Sequence, residues 1–457
     1  MKIGPGTPLD VTLNWGADDV QSVGRLAYRD RVAYLQYDDA FLNSGIEISP
    51  VYHRTSAGLH QPLRADVFEG LHGVFHDSLP DGWGRLLVDR RAAQLGIEAA
   101  SLTPLDRLAC VGASGIGALS YAPAIDPWDM SSPELDLGEL AAGARQLLGG
   151  TVGEVLSALG RAGGSPGGAR PKALLALGID GQAMVGAGAA PAEYNHYLVK
   201  FPGSGDPEDI AAIEMAYSQM AKEAGVEMAE TRLLEDSQGG LYFAARRFDR
   251  QGDDRVHVHS ACGLLYSDIR LPALDYKDLI LLARNVTHDQ RQCKAMFTLA
   301  VFNVLAHNRD DHARQFSFTM ERSGAWHMAP AYDLTYSAGP AGEHSTAVLG
   351  YGGNITHAHL LQLGTIADLN EAEAGQIIER AEAALGQWKT IAGDYGVARQ
   401  SKGRIGAALA SGLSIEAIES WPERVATVTI EDVAKAAWAV LAIERSVTST
   451  LLPEGVK

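Results

Sequence analysis

The chain has little of what marks secreted, membrane-spanning or nucleic-acid-gripping proteins. Only three cysteines occur in 457 residues, Cys110, Cys262 and Cys293, scattered and with no C-x-x-C pair. That pattern argues against a disulfide framework and for a reducing compartment. No uncharged run of about 18 apolar residues is present, and the opening MKIGPGTPLD lacks the apolar stretch of a signal peptide. A cytoplasmic location with no membrane association is the expectation. Basic residues are outnumbered, 38 against 56 acidic ones, leaving a net charge of −18. Such a chain does not grip phosphate backbones by itself, because that binding rests on Lys and Arg neutralising phosphates. Low-complexity tracts are missing too, and 46% hydrophobic with 21% charged residues is the composition of a folded chain. Its length predicts two or three domains.

What is there centres on residues 302–317, FNVLAHNRDDHARQFS, and their sequel MAPAYDLTYS. An apolar, helix-compatible lead-in through Met296, Leu299, Phe302 and Leu305 ends in a dense polar cluster, His307 to Gln315. Asp310 is followed five residues on by the amide Gln315 and, after a short strand-like run, by Asp333. One carboxylate, one amide and a second carboxylate suit a magnesium phosphoryl-transfer site. The first can take the proton of an attacking hydroxyl, and the other two are hard oxygen donors for Mg²⁺. A solvated charged loop is the bland alternative. Zinc on His307 and His312 is another, although H-x4-H lacks the helical spacing of a zincin pair.

Upstream parts fall in a matching order. Residues 1–135 mix short alternating strands with turns, and AIDPWDMSSPELDL marks a boundary. In LACVGASGIGALSY, Gly112, Gly115 and Gly117 form a weak dinucleotide fingerprint, since a helix-like segment precedes them where a strand is needed. A glycine-rich turn closing a small β-rich domain is the favoured reading. Residues 136–260 carry GRAGGSPGGARPKALLALGI, whose glycines flank Ser165 and lead into Arg170 and Lys172. Backbone amides and two cations could there approach a polyphosphate. Asp180-Gly181 predicts a hairpin, and YLVKF places Lys200 in an apolar strand. Glu214 on the following helix could pair with it. His257 and His259 in VHVHS share a strand face and read as two exposed imidazoles. Residues 261–457 turn helical, with apolar stripes such as Ala374, Ile377, Ala381, Leu385, Trp388 and Ile391. IEDVAKAAWAVLAIERSV behaves likewise.

In this order, SPGGARPKALL, YLVKFP, RRFDR, NRDDHARQFSF and PAYDLTYS resemble the HipA family of serine/threonine kinases, the toxin halves of bacterial toxin–antitoxin pairs. The resemblance implies an α+β, bilobal protein-kinase-like fold with a β-rich N-terminal subdomain and a mainly helical C-terminal lobe. It implies Asp310 as catalytic base, Gln315 and Asp333 as metal ligands, and ATP contacts from Gly167, Gly168, Ala169, Arg170, Lys172, Lys200, Phe248 and His312. Ser165 matches an autophosphorylated loop serine. ATP and Mg²⁺ are the implied cofactors. The implied partners are a protein substrate such as an aminoacyl-tRNA synthetase and a small helix-turn-helix antitoxin, with DNA reached only through the antitoxin. Two positions depart from the family pattern: Gln315 stands where Asn is usual, and Arg246 where an acidic residue is frequent. The first departure keeps open a non-catalytic member that binds nucleotide or antitoxin. A dinucleotide oxidoreductase using Gly112 to Gly117 is the remaining rival.

Overall fold

The computed structural model describes residues 1–411 except 5, 17–18, 81, 129–135, 151–154, 164–167, 169, 179–182, 187–189, 192 and 272. The first five strands, β1 (Leu9–Gly16), β2 (Asp19–Arg29), β3 (Val32–Tyr37), β4 (Leu59–His60) and β5 (Leu119–Ala122), form one antiparallel sheet in the order β4-β3-β2-β1-β5. Alternation in β1 buries Leu9, Val11 and Leu13 on one face. Asp30 and Arg31, with φ of 50° and 63°, make the two-residue turn between β2 and β3. Left-handed backbone at both central positions lets such a turn follow the twist of its strands.

A second antiparallel sheet holds β6 (Lys172–Leu177), β7 (Ala183–Val185), β8 (Asn195–Lys200), β9 (Thr231–Glu235) and β10 (Leu241–Arg246), in the order β7-β6-β8-β10-β9. The hairpin announced by Asp180-Gly181 is the β6–β7 pair, with the turn itself outside the described residues. The register sets Lys172 directly opposite Lys200. Helix Ile210–Glu223 packs on β9 and β10 with a wide buried face that includes Glu214.

Between residues 261 and 411 the described chain is mainly helical, with helices Tyr276–Thr287, Gln290–Leu305, His357–Ile366, Glu371–Gly386, Trp388–Asp394 and Arg399–Ser411. The stripe read through Trp388 belongs to two helices, because the chain bends at Gln387. IEDVAKAAWAVLAIERSV lies outside the described residues. No helix among the described residues is long and apolar enough to cross a membrane. One apolar core runs without a break from Leu9 of the first sheet through the helical part to Leu409.

One sequence expectation changes in the fold. His257 and His259 are fully buried, not exposed. Their strand, His257–Ser260, pairs with Ser317–Met320 of the helical part, and both rings point at the N-terminal subdomain. His257 Nε2 bonds the Ile48 carbonyl at 2.9 Å, and His259 links Ser49 Oγ at 3.0 Å to the Asp77 carboxylate at 2.7 Å. The order Ser–His–Asp is that of a hydrolytic triad, but Ser49 and His259 are both buried, so this chain of bonds joins subdomains. The glycine turn, read in the sequence as a turn more than as a nucleotide fingerprint, clasps the segment after β10. Gly117 N–H donates to Asp249 Oδ2 at 2.8 Å, and Arg250 Nη2 donates to the Gly115 carbonyl at 2.7 Å. A Cβ at Gly117 would come within 2.9 Å of the Val258 nitrogen, so the turn packs on protein where a cofactor would have to lie.

The same contact between subdomains makes Gly73 sensitive, because a Cβ there would overlap the carbonyl oxygen of Gly263. We expect Gly73→Ala to lower the stability measured by urea unfolding by about 1–3 kcal/mol. An unchanged midpoint would show that this helix–helix contact is loose.

Candidate active site

Helix Gln290–Leu305 delivers the polar cluster. Asp289 caps its start, and beyond Ala306 the left-handed His307 (φ 52°) turns the chain out of the helix. From there a buried chain of hydrogen bonds holds the loop. Asn308 Nδ2 donates to Asn303 Oδ1 at 3.0 Å, and Asn303 Nδ2 donates to Tyr276 Oη at 3.0 Å. Tyr276 Oη in turn donates to Asp311 Oδ2 at 2.7 Å. Asp311 also accepts from His344 Nδ1 at 2.9 Å and from the Ser345 and Thr346 amides at 2.8 and 3.2 Å. Fully buried and saturated with donors, Asp311 is an anchor. Its neighbour Asp310 points the other way and is exposed.

Desolvation raises the Asp310 carboxyl above the ordinary carboxylate range, and Asp333 adds to this, while His312 and Arg170 oppose it. The result is a carboxylate with an increased proton affinity, as a general base requires. His312 caps the 3-10 turn Ala313–Gln315 through Arg314 N–H at 3.3 Å. Gln315 is buried, and its Nε2 donates to Asp333 Oδ2 at 3.1 Å. Asp333 itself sits at φ 59°, a left-handed conformation unfavourable for a residue with a Cβ. Residues held so cluster at functional sites.

Opposite stands Lys200 at the end of β8. Its Nζ is shared between Glu214 Oε2 at 2.8 Å and Asp333 Oδ1. Burial would discharge it, but the charges of Asp333 and Glu214 outweigh that and raise its pKa. Burial would equally raise the Asp333 carboxyl. The Lys200 and Lys172 charges, with hydrogen bonds from Lys200 and Gln315, hold it instead well below the carboxylate range. Arg170 completes the cluster, donating to Glu214 Oε1 at 2.8 Å and to Asp206 Oδ1 at 2.9 and 3.2 Å.

The structure therefore brings Asp310, Gln315, Asp333, Lys172, Lys200 and Arg170 to one cleft. Gly168 borders it: a Cβ there would lie 2.8 Å from Lys172 Nζ. Gly167, Ala169 and Ser165 lie outside the described residues. Phe248 lines a cavity of 190 Å³ together with Ala229, Arg247 and Gln251, and its ring stacks on Tyr332, the neighbour of Asp333. His307 and His312 do not converge on a zinc site. His307 Nδ1 faces Arg309 Nη2 at 3.0 Å, and no group of three or more His, Cys, Asp or Glu among the described residues is placed to hold a metal unaided. Magnesium asks for less, usually one or two carboxylates with substrate phosphates and water completing its shell. Asp333 and the Gln315 carbonyl fit that demand.

Residues 164–388 match the HipA-like C-terminal domain, and residues 16–122 match the HipA N-terminal domain. The chain belongs to the HipA family. Among solved structures it is similar to HipA of Shewanella oneidensis MR-1, seen in a toxin–antitoxin complex with HipB and operator DNA. The TM-score is 0.62 at 17% identity, covering 88% of this chain and 94% of that one. It also matches the Helicobacter pylori proinflammatory kinase CtkA, with a TM-score of 0.34 at 14% identity over 49% of this chain and 91% of that one. No curated protein matches it in sequence. The α+β arrangement, β-rich at the N-terminus and helical at the C-terminus, is the architecture expected of a HipA protein.

Sequence reasoning overlooked Asp206 and the Asp311 network. Asp206 carried no signal beyond its place after a Pro-Gly turn. Asp311 was hidden beside an identical residue.

The two cleft carboxylates should affect stability in opposite directions. Asp333 has a depressed folded pKa, so its contribution is present above the unfolded value of about 3.9 and lost as pH falls below it. Asp310 has a raised folded pKa, so its contribution is present below about pH 4 and lost as pH rises through the folded value. At pH 7 we expect Asp310→Asn to raise the urea midpoint and Asp333→Asn to lower it; shifts of the same sign would contradict this electrostatic account.

Proposed function

We propose that the chain is an ATP- and Mg²⁺-dependent serine/threonine protein kinase. The observation that carries this reading is Lys200, held by Glu214 and Asp333, with Asp310 across the same cleft. Lys200 stays protonated and would meet the phosphates of ATP, while Lys172 and Gly168 border them from the glycine-rich side. Asp333 and Gln315 would hold Mg²⁺, which when bound neutralises phosphate charge. Asp310 would accept the proton of the attacking hydroxyl, its raised pKa favouring that transfer at the cost of a smaller ionised fraction in acid. Phe248 would border the adenine. Ser165 is the proposed site of autophosphorylation, which would add about −1.5 to −2 charges to the glycine-rich loop.

A protein substrate in translation, such as an aminoacyl-tRNA synthetase, is proposed from the resemblance to HipA kinases alone. A small helix-turn-helix antitoxin is the proposed partner, because the Shewanella HipA structure contains HipB and operator DNA. One observation favours a second reading, a non-catalytic nucleotide-binding co-repressor. Gln315 is one methylene longer than the usual Asn and turns its amide nitrogen to Asp333. ATP binding without transfer, with transfer restored by Gln315→Asn, would select it.

Incubation with Mg²⁺ and ATP followed by intact mass and peptide mapping tests the kinase reading. The wild type should gain phosphate on Ser165, and Asp310→Ala should slow the gain by about 10²–10⁴-fold. The acid limb of the wild-type rate profile should lie above the ordinary Asp value of about 3.9, since the base must be ionised. Equal phosphorylation of wild type and Asp310→Ala would remove Asp310 from the mechanism.

A further inference from the structure

We infer that His76 and Arg314 are positioning residues for the Gln315–Asp333 pair, which makes the N-terminal subdomain a working part of the catalytic cleft. The inference rests on the reading of those two residues as metal ligands. Gln315 is gripped on both flanks. On one side Arg314 Nη2 lies 2.9 Å from His76 Nδ1 and 3.2 Å from the His76 carbonyl. A guanidinium can only donate, so Nδ1 is the acceptor and the neutral His76 ring carries its proton on Nε2. On the other side the Phe316 carbonyl accepts from Ala261 N–H at 2.7 Å. Ala261 begins a helix capped by Ser260, and Ser260 is held through both its amide and its hydroxyl by Asp77, at 2.7 Å each.

His76 and Asp77 are consecutive residues of the N-terminal subdomain. Both tethers therefore start from one short segment, itself braced by the stack of His76 on Phe68, with ring centroids 4.3 Å apart. The grip extends to the second ligand. Tyr332 Oη donates to the Arg314 carbonyl and meets Ser317 Oγ at 2.7 Å, which fixes the residue next to Asp333. A third contact reaches the glycine-rich loop, where Trp83 N–H donates to the Gly168 carbonyl at 3.1 Å. Magnesium requires near-ideal octahedral geometry, and residues that orient its ligands commonly set affinity by about 10–100-fold. The longer Gln315 side chain, with more rotatable bonds than Asn, has more to gain from a fixed backbone.

The test is a titration of full-length protein with Mn²⁺ in the presence of a non-hydrolysable ATP analogue, read by electron paramagnetic resonance, with Mn²⁺ standing in for Mg²⁺. His76→Ala should weaken Mn²⁺ binding about 10-fold or more. His76→Asn, whose side-chain oxygen can accept from Arg314 as Nδ1 does, should recover most of it. Both substitutions remove the stack on Phe68, so a difference in Mn²⁺ affinity between them reports the bond to Arg314. This separates the hydrogen bond from packing. Wild-type affinity in His76→Ala, or equal weakening in both variants, would overturn the inference while leaving the kinase reading intact. A wild type that binds no Mn²⁺ with nucleotide would overturn the metal-ligand reading and the inference with it.

Discussion

A largely buried lysine shared by two carboxylates is the constraint on which the rest of the cleft depends. Lys200 comes from a strand of the small sheet, Glu214 from the helix packed on that sheet, and Asp333 from the segment after the strand Trp326–Met328, which pairs with Ser317–Met320. Desolvating an ammonium costs several kcal/mol unless it is paired and hydrogen-bonded. Two partners from different elements meet that cost only when both lobes are in register. Asp333 is drawn toward the lysine at the expense of a left-handed backbone. Arg170, held by Glu214 and Asp206, ties the entry of β6 to the same cluster.

The Asp310–Asp311 pair shows how one sequence can set the proposed base and its foundation side by side. The two adjacent side chains differ in burial, Asp311 being fully buried and Asp310 exposed. Asp311 goes inward to Tyr276, His344 and two backbone amides, and Asp310 is thereby presented to the cleft. The inward residue has satisfied its acceptor capacity, which holds the loop and leaves the outward carboxylate for the proposed proton transfer.

Much of this was legible from the residues alone. The Asp-Gly hairpin, the apolar strand around Lys200, the helix before the polar cluster and the spacing of Asp310, Gln315 and Asp333 all follow from local periodicity and turn chemistry. What stayed hidden depends on contacts far apart in sequence. A two-residue period says that His257 and His259 share a face but not what covers it, and the covering Ile48 and Ser49 lie about two hundred positions earlier. The glycines from Gly112 to Gly117 signal close backbone approach without saying to what, and the answer is Asp249 and Arg250. Nothing local distinguishes Asp310 from Asp311. The N-terminal subdomain accordingly looked separable in sequence, whereas in the fold it shares the main core with the helical part and touches the segments around Gln315, Gly168 and Phe248.

The central claim is that nucleotide phosphates lie against Lys200 and its strand partner Lys172. The most direct measurement is labelling with an acyl-phosphate derivative of ATP, which acylates lysines beside a bound polyphosphate, followed by peptide mapping with and without competing Mg²⁺ and ATP. The account predicts acylation of Lys200 or Lys172, suppressed by the competitor. Labelling confined to other lysines, or labelling of these two that ATP does not suppress, would contradict it.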